Sequence, residues 1–148
     1  MTMPTETIEV ASLEETLEFA ARLGATLRAG DVVYLEGELG TGKTHFTKGL
    51  ASGLGIDPDE VRSPTFTFVD IHPCARPDRL ALFHVDLYRI AEAAELTELG
   101  LEELPGEGAV LALEWPDRLA SRAPHAILVS ITDLGGTRRR IEILRSGA

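Results

Sequence analysis

The stretch GELGTGKT at residues 37–44 constrains this chain more than any other. It places three glycines, a lysine and two threonines directly after the apolar run VVYLE (32–36) and directly before HFTKGLASGLG (45–55). The first neighbour reads as a buried strand and the second as a helix, so the loop must turn one into the other. Gly37, Gly42, Lys43 and Thr44 satisfy the spacing G-x-x-x-x-G-K-[ST] in full. Phosphate oxygens need many N–H donors at close range, and only a loop without side-chain bulk lets the main chain wrap around them. The following helix aims its first amides and the positive end of its dipole at the same anion. On this reading Glu38, Leu39, Gly40, Thr41 and Gly42 line the cradle, Lys43 neutralises the β- and γ-phosphates, Thr44 offers its hydroxyl to Mg²⁺, and His45 stands beside them. A glycine-rich structural turn is the bland alternative; the strand before it and the helix after it argue for a nucleotide.

The rest of the pattern supplies a sheet for that loop. TIEVA (7–11) reads as a short strand, and the spacing of Leu13, Leu17, Ala20, Leu23 and Leu27 as a helix. Ser12 and Glu15 form a capping-box pattern at its start, and Gly30 is placed to close it. The helix after the loop is expected to end near Leu54, before Gly55 and Pro58. SPTFTFVDIH alternates Phe66 and Phe68 with polar neighbours, ALFHVDLYRI is a further strand, and PCARPDR between them is a loop. AVLALEW (109–115) is continuously apolar until it stops at an acid and an indole. Two strands around Gly135-Gly136 close the chain as a hairpin. Helices and strands interleave early and strands dominate late. The expected fold is a single α/β domain over residues 1–148, with residues 1–6 and 146–148 frayed: a P-loop NTPase-like central sheet, partly parallel with antiparallel edge strands, flanked by helices.

Composition narrows the function classes. Apolar residues make up 44% of the 148, enough for a core, yet no apolar run approaches the length of a membrane span. No signal-peptide pattern is evident at the start, and the lone Cys74 in HPCARPD excludes an internal disulfide framework, so a reducing cytoplasm is expected. A formal net charge of −10 should repel a phosphate backbone and argues against unaided nucleic-acid binding. Arg138, Arg139 and Arg140 are a local exception that reads most simply as the solvated flank of the hairpin.

A phosphate loop that hydrolyses its nucleotide needs acids nearby. Two apolar runs end in one, ALFHVD at Asp86 and AVLALE at Glu114. One would orient the metal shell and the other polarise the attacking water, and spacing alone does not divide these roles. A GTPase is disfavoured, because its base-reading Asn-Lys-x-Asp loop and its water-positioning Gln both call for residues this chain lacks: it contains no Asn and no Gln. ATP is the better substrate. A small-molecule kinase is the rival enzyme, but segment 90–117 offers no basic lid. Thr65 in Ser63-Pro64-Thr65 either senses the γ-phosphate or starts a strand. His84 reads as a core or sheet-face histidine, and His45, His72 and His125 show no metal-ligand spacing. Trp115 is core, base-stacking platform or partner anchor.

Taken together, GELGTGKTHFTKGL, VRSPTFTFVDIH, FHVDLYRI, ELTELGLEEL and LALEWPDRL occur in an order and spacing that resembles the bacterial TsaE (YjeE) family, over roughly residues 8–145. That resemblance implies a small ATPase of tRNA threonylcarbamoyladenosine synthesis that binds ATP and Mg²⁺ and hydrolyses ATP slowly by itself. It implies action on a TsaD–TsaB complex, which transfers the threonylcarbamoyl group to adenosine 37 of tRNAs reading ANN codons, so that tRNA is met only through the partner. Carried across by position, Lys43 and Thr44 meet phosphates and metal, and Thr65 lies in a switch-like segment. Asp86 matches a metal-site acid, Glu114 an acid required for activity that joins Thr44 and Asp86 at the metal, and Trp115 its neighbour near the nucleotide or the partner. Lys48 and Arg89 match motif residues without assigned roles. The resemblance also turns Trp115 and the acidic 92–103 segment toward an interaction surface.

Overall fold

The computed structural model describes residues 4–37, 42–61, 69–73, 81–87, 109–116 and 125–145. Seven strands form one sheet: β1 (Pro4–Val10), β2 (Val32–Glu36), β3 (Val69–Pro73), β4 (Ala81–Asp86), β5 (Ala109–Glu114), β6 (Ile127–Gly135) and β7 (Arg138–Arg145). Their order across the sheet is β1-β7-β6-β2-β5-β4-β3. The centre is parallel, with β2 between β5 and β6 and with β4 beside β5. Both flanks are antiparallel, through the pairs β3–β4, β6–β7 and β1–β7. This is the expected partly parallel sheet with antiparallel edges.

Burial follows position in that order. β5 is buried at every residue and β2 at its first four, which is why VVYL and AVLALE are continuously apolar up to their last residues. Alternate side chains still sort to opposite faces. Val33, Leu35, Leu82, Val110, Ala112, Val129 and Ile131 join the helices α1 (Leu13–Thr26) and α2 (Lys43–Gly53) in one core. Val32, Tyr34, Val85, Leu111 and Leu113 form a second cluster on the other face, with Trp115 packed against it. α1 and α2 meet almost backbone to backbone. A methyl group on Gly24 would strike the Leu50 carbonyl, one on Gly49 the Ala20 side chain, and one on Gly53 the Ala21 carbonyl.

Several local expectations hold and others shift. Ser12 caps α1 by accepting from the Glu15 N–H at 3.2 Å, while the Glu15 carboxylate accepts from the Ala11 N–H at 2.9 Å. Gly30 does not close that helix, which ends at Thr26 with the Leu27 N–H on the Gly24 carbonyl. Gly30 instead takes φ +92° in the turn before β2, where its N–H reaches the Ala109 carbonyl at 2.8 Å. β1 starts at Pro4 and pairs with β7 from Pro4 to Val10, with an irregularity between Pro4 and Glu6. Phe66, Phe68, the 74–80 loop and the acidic 92–103 segment lie outside the described residues.

Candidate functional site

The parallel centre of the sheet brings three carboxyl-terminal strand ends together. β2 runs out into Gly37 and, past the loop, into the first turn of α2; β5 ends beside it at Glu114, and β4 ends next to β5 at Asp86. Asp86 and Glu114 are register partners in the parallel pair, so both acids stand on the same face of the sheet. It is the face that carries α2, because Ala112 and Leu82, two and four positions earlier on these strands, pack into the helix-side core.

Gly42 is the residue before α2 and has φ +100°, a left-handed conformation that favours glycine. It lets the chain turn sharply into the helix, which starts at Lys43. Lys43 is only 5% exposed. Its ammonium donates to the Gly37 carbonyl at 2.7 Å and lies 4.4 Å from the centre of the Trp115 ring, a cation–π distance. The two ends of the loop are thus tied to each other and to β5 through one side chain. Thr44 follows on α2, and its hydroxyl donates to Glu114 Oε2 at 3.3 Å. This contact joins the loop-helix unit to the acid strand.

Glu114 is 3% exposed, although it is a carboxylate at the end of a strand. A buried carboxylate is costly unless hydrogen-bonded, and here two side chains converge on it. Besides Thr44, His84 approaches Glu114 Oε2 with Nε2 at 2.6 Å. His84 is fully buried on β4, so the expected core histidine is indeed inside but faces the site acid. Asp86 is half-buried at the next outward position of the same face. Trp115 takes φ +64°, the one non-glycine residue at positive φ among the described residues. For a bulky side chain this is a strained conformation, costing about 1–3 kcal/mol. Its N–H still reaches the Leu35 carbonyl at 3.2 Å, so the backbone bends while tied to β2, and the ring swings toward Lys43.

His45 sits half-buried in the first turn of α2. Glu38, Leu39, Gly40 and Thr41 of the loop, Thr65 and Arg89 lie outside the described residues. Lys48, for which the sequence offered no role, donates to the Pro58 carbonyl at 3.1 Å and to the Val61 carbonyl at 2.6 Å. It fastens α2 to the 3₁₀ turn Pro58–Glu60 and to the residue just before the segment that carries Thr65.

The donor set suits a hard divalent cation held partly by water and phosphate: one hydroxyl, on Thr44, and two carboxylates, on Asp86 and Glu114. Among the described residues no group of three or more His, Cys, Asp or Glu side chains is placed to hold a metal ion by itself. The left-handed Gly42 and the helix start behind it suit an anionic phosphate chain.

A model of the family described as "Threonylcarbamoyl adenosine biosynthesis protein TsaE" matches residues 10–141. A protein of Treponema pallidum named tRNA threonylcarbamoyladenosine biosynthesis protein TsaE is 37% identical over 133 residues, covering 89% of this chain and 95% of its own. The protein of the same name from Bacillus subtilis is 40% identical over 128 residues, covering 86% of this chain and 77% of its own. A crystal structure of Bacillus subtilis YdiB superposes with a TM-score of 0.72 at 33% identity, across 99% of this chain and 88% of that one.

Proposed function

The chain belongs to the TsaE family of tRNA threonylcarbamoyladenosine biosynthesis, and from that premise we propose that it is a Mg²⁺-dependent ATPase with a low intrinsic rate. It serves a TsaD–TsaB-type transfer complex in the cytoplasm and is not itself the transferase. The observation that carries this reading is the Thr44–Glu114 contact, because it sets a buried acid against the first turn of a phosphate-loop helix. A glycine-rich structural turn has no use for that acid.

In the proposed mechanism Lys43 binds and neutralises the terminal phosphates, and Thr44 and Asp86 hold Mg²⁺ with Glu114 beside them. The cation, when bound, neutralises charge that develops on the phosphate oxygens. Glu114 accepts a hydrogen bond from the attacking water and fixes its direction. Trp115 and the turn of chain at its positive φ hold Lys43 over the loop. A charge of −10 supports contact with tRNA only through the partner complex. Among the described residues no helix is long and apolar enough to cross a membrane.

Calorimetric titration with MgATP tests the binding reading, with saturable heat expected; a flat titration of folded protein at millimolar ligand removes it. In a reconstituted tRNA-modification reaction, ATP should support repeated turnover and a non-hydrolysable analogue should stall it after the first. Equal repeated turnover with both would reduce the protein to a nucleotide-sensing module.

A further inference from the structure

We propose that His84 is a positioning residue for Glu114: its Nε2–H holds one carboxylate oxygen so that the other is presented to the attacking water. This rests on the ATPase reading above.

Leu82, His84 and Asp86 share one face of β4, at the level of Val110, Ala112 and Glu114 on β5. Along that face an apolar residue packs under the helices, a histidine comes next, and an acid ends the strand. The two side-chain hydrogen bonds that described residues make to the Glu114 carboxylate both fall on Oε2, from His84 at 2.6 Å and from Thr44 at 3.3 Å. Among the described residues nothing engages Oε1. A carboxylate only accepts, so hydrogen-bond pairing puts the imidazole proton on Nε2. The short bond from His84 is the firm tether, and Thr44 is the longer partner whose hydroxyl also serves the cation.

The cost of burying this ring points the same way. His84 is 0% exposed, and its Nδ1 has no hydrogen-bond partner among the described residues. An imidazole buried with one nitrogen unsatisfied is a poor space filler compared with leucine. The directional bond to Glu114 is what the ring contributes that leucine cannot. Groups that orient a working carboxylate in this way are commonly worth about 10–100-fold in activity.

Three variants test the assignment. His84→Leu fills the space without a donor, and it is expected to melt near the parental temperature and to bind MgATP within about threefold of the parent. Its kcat should fall about 10–100-fold. His84→Gln, whose amide nitrogen reaches the place of Nε2, should recover most of that loss. His84→Asn, polar but one carbon too short, should behave like His84→Leu and stands in for it if the leucine variant does not fold. Hydrolysis by His84→Leu or His84→Asn at the parental rate overturns the assignment, as does a glutamine variant as slow as the others, since packing alone would then explain the loss. A readout independent of turnover is the imidazole N–H proton in NMR spectra of the parent. It should lie at low field and move when Glu114 is replaced by Gln. A parent that hydrolyses no ATP, alone or with its partner complex, defeats the proposed function and leaves His84 to this signal; if Glu114→Gln leaves the signal in place, the positioning role falls with it.

Discussion

At the carboxyl ends of β4 and β5 an acid is 3% exposed, bonded to a fully buried histidine and to the first turn of a helix. At the β6–β7 hairpin, on the antiparallel side of the same sheet, Asp133 meets Arg139 at 3.1 Å with its side chain 54% exposed, and Arg140 meets Glu9 at 3.2 Å with both partners open to water. Both regions present an apolar strand that stops at charge. What differs is the neighbour. A strand in the parallel centre has another strand on each side and a helix above it, so charge at its end is desolvated and must be held by specific partners. A hairpin at the flank projects past the core: Asp133, Arg140 and Glu9 remain hydrated, and Arg139, whose side chain is 11% exposed, folds back onto the Gly136 and Arg138 carbonyls of the turn itself. Charge on strand ends therefore does work in the first region and little in the second.

The largest expected effect is at the loop. Lys43→Ala removes a buried ammonium that spans Gly37 and Trp115. MgATP affinity should fall by about 10³-fold or more, roughly 4 kcal/mol, in a calorimetric titration. Parental affinity in Lys43→Ala would show that this end of the sheet treats charge as the hairpin does.

Next comes Glu114→Ala. It should keep MgATP affinity within about threefold of the parent while hydrolysis drops by about 10²–10⁴-fold. Losing both equally would make Glu114 a binding group and would blur the distinction between it and Lys43.

These two residues also mark how far the sequence could be read. The strand before the loop, the helix after it and the placing of Asp86 and Glu114 at strand ends were legible because each is a local pattern: a glycine spacing, or an apolar run with a carboxylate at its end. The partly parallel sheet was legible for the same reason, since buried central strands are apolar throughout. His84 was not, because a histidine within ALFHVD looks the same whether it fills the core or holds an acid; only the pairing of β4 with β5 distinguishes the two. The Lys43–Trp115 contact depends on β2 lying next to β5 and on a left-handed tryptophan, and neither leaves a local trace. The seam between α1 and α2 was missed likewise, since Gly24, Gly49 and Gly53 read as weak helix positions until the facing backbone is known. Gly30 was misassigned because a glycine just past an amphipathic run serves equally as a helix stop or as the turn into the next strand.

Lys48 provides an intermediate case that sharpens the comparison. It is the only other lysine in the chain and lies on the same helix as Lys43, but its ammonium is spent on two main-chain carbonyls. Lys48→Met keeps most of the aliphatic stem and removes the bonds. A stability loss of about 1.5–3 kcal/mol is expected from chemical denaturation. MgATP affinity should be little changed if the role of Lys48 is confined to anchoring the Pro58–Val61 turn. A large affinity loss without a stability loss would move Lys48 into the nucleotide site.

The smallest effect belongs to the hairpin. Arg140→Ala breaks the pair with Glu9, in which the arginine side chain is 42% exposed and the carboxylate 54%. In water such a pair gains little Coulomb energy and gives up side-chain entropy, so the loss should be about 0.2–1 kcal/mol and should shrink as salt is added. The strands do not depend on it, because β1 is held along β7 by a main-chain register from Pro4 to Val10. Hydrolysis and nucleotide affinity should stay at parental values, since no described contact runs from Arg140 to the loop. A variant that folds normally yet fails only in the reconstituted modification reaction would give the hairpin a partner-facing role and end its standing as the passive side of the comparison.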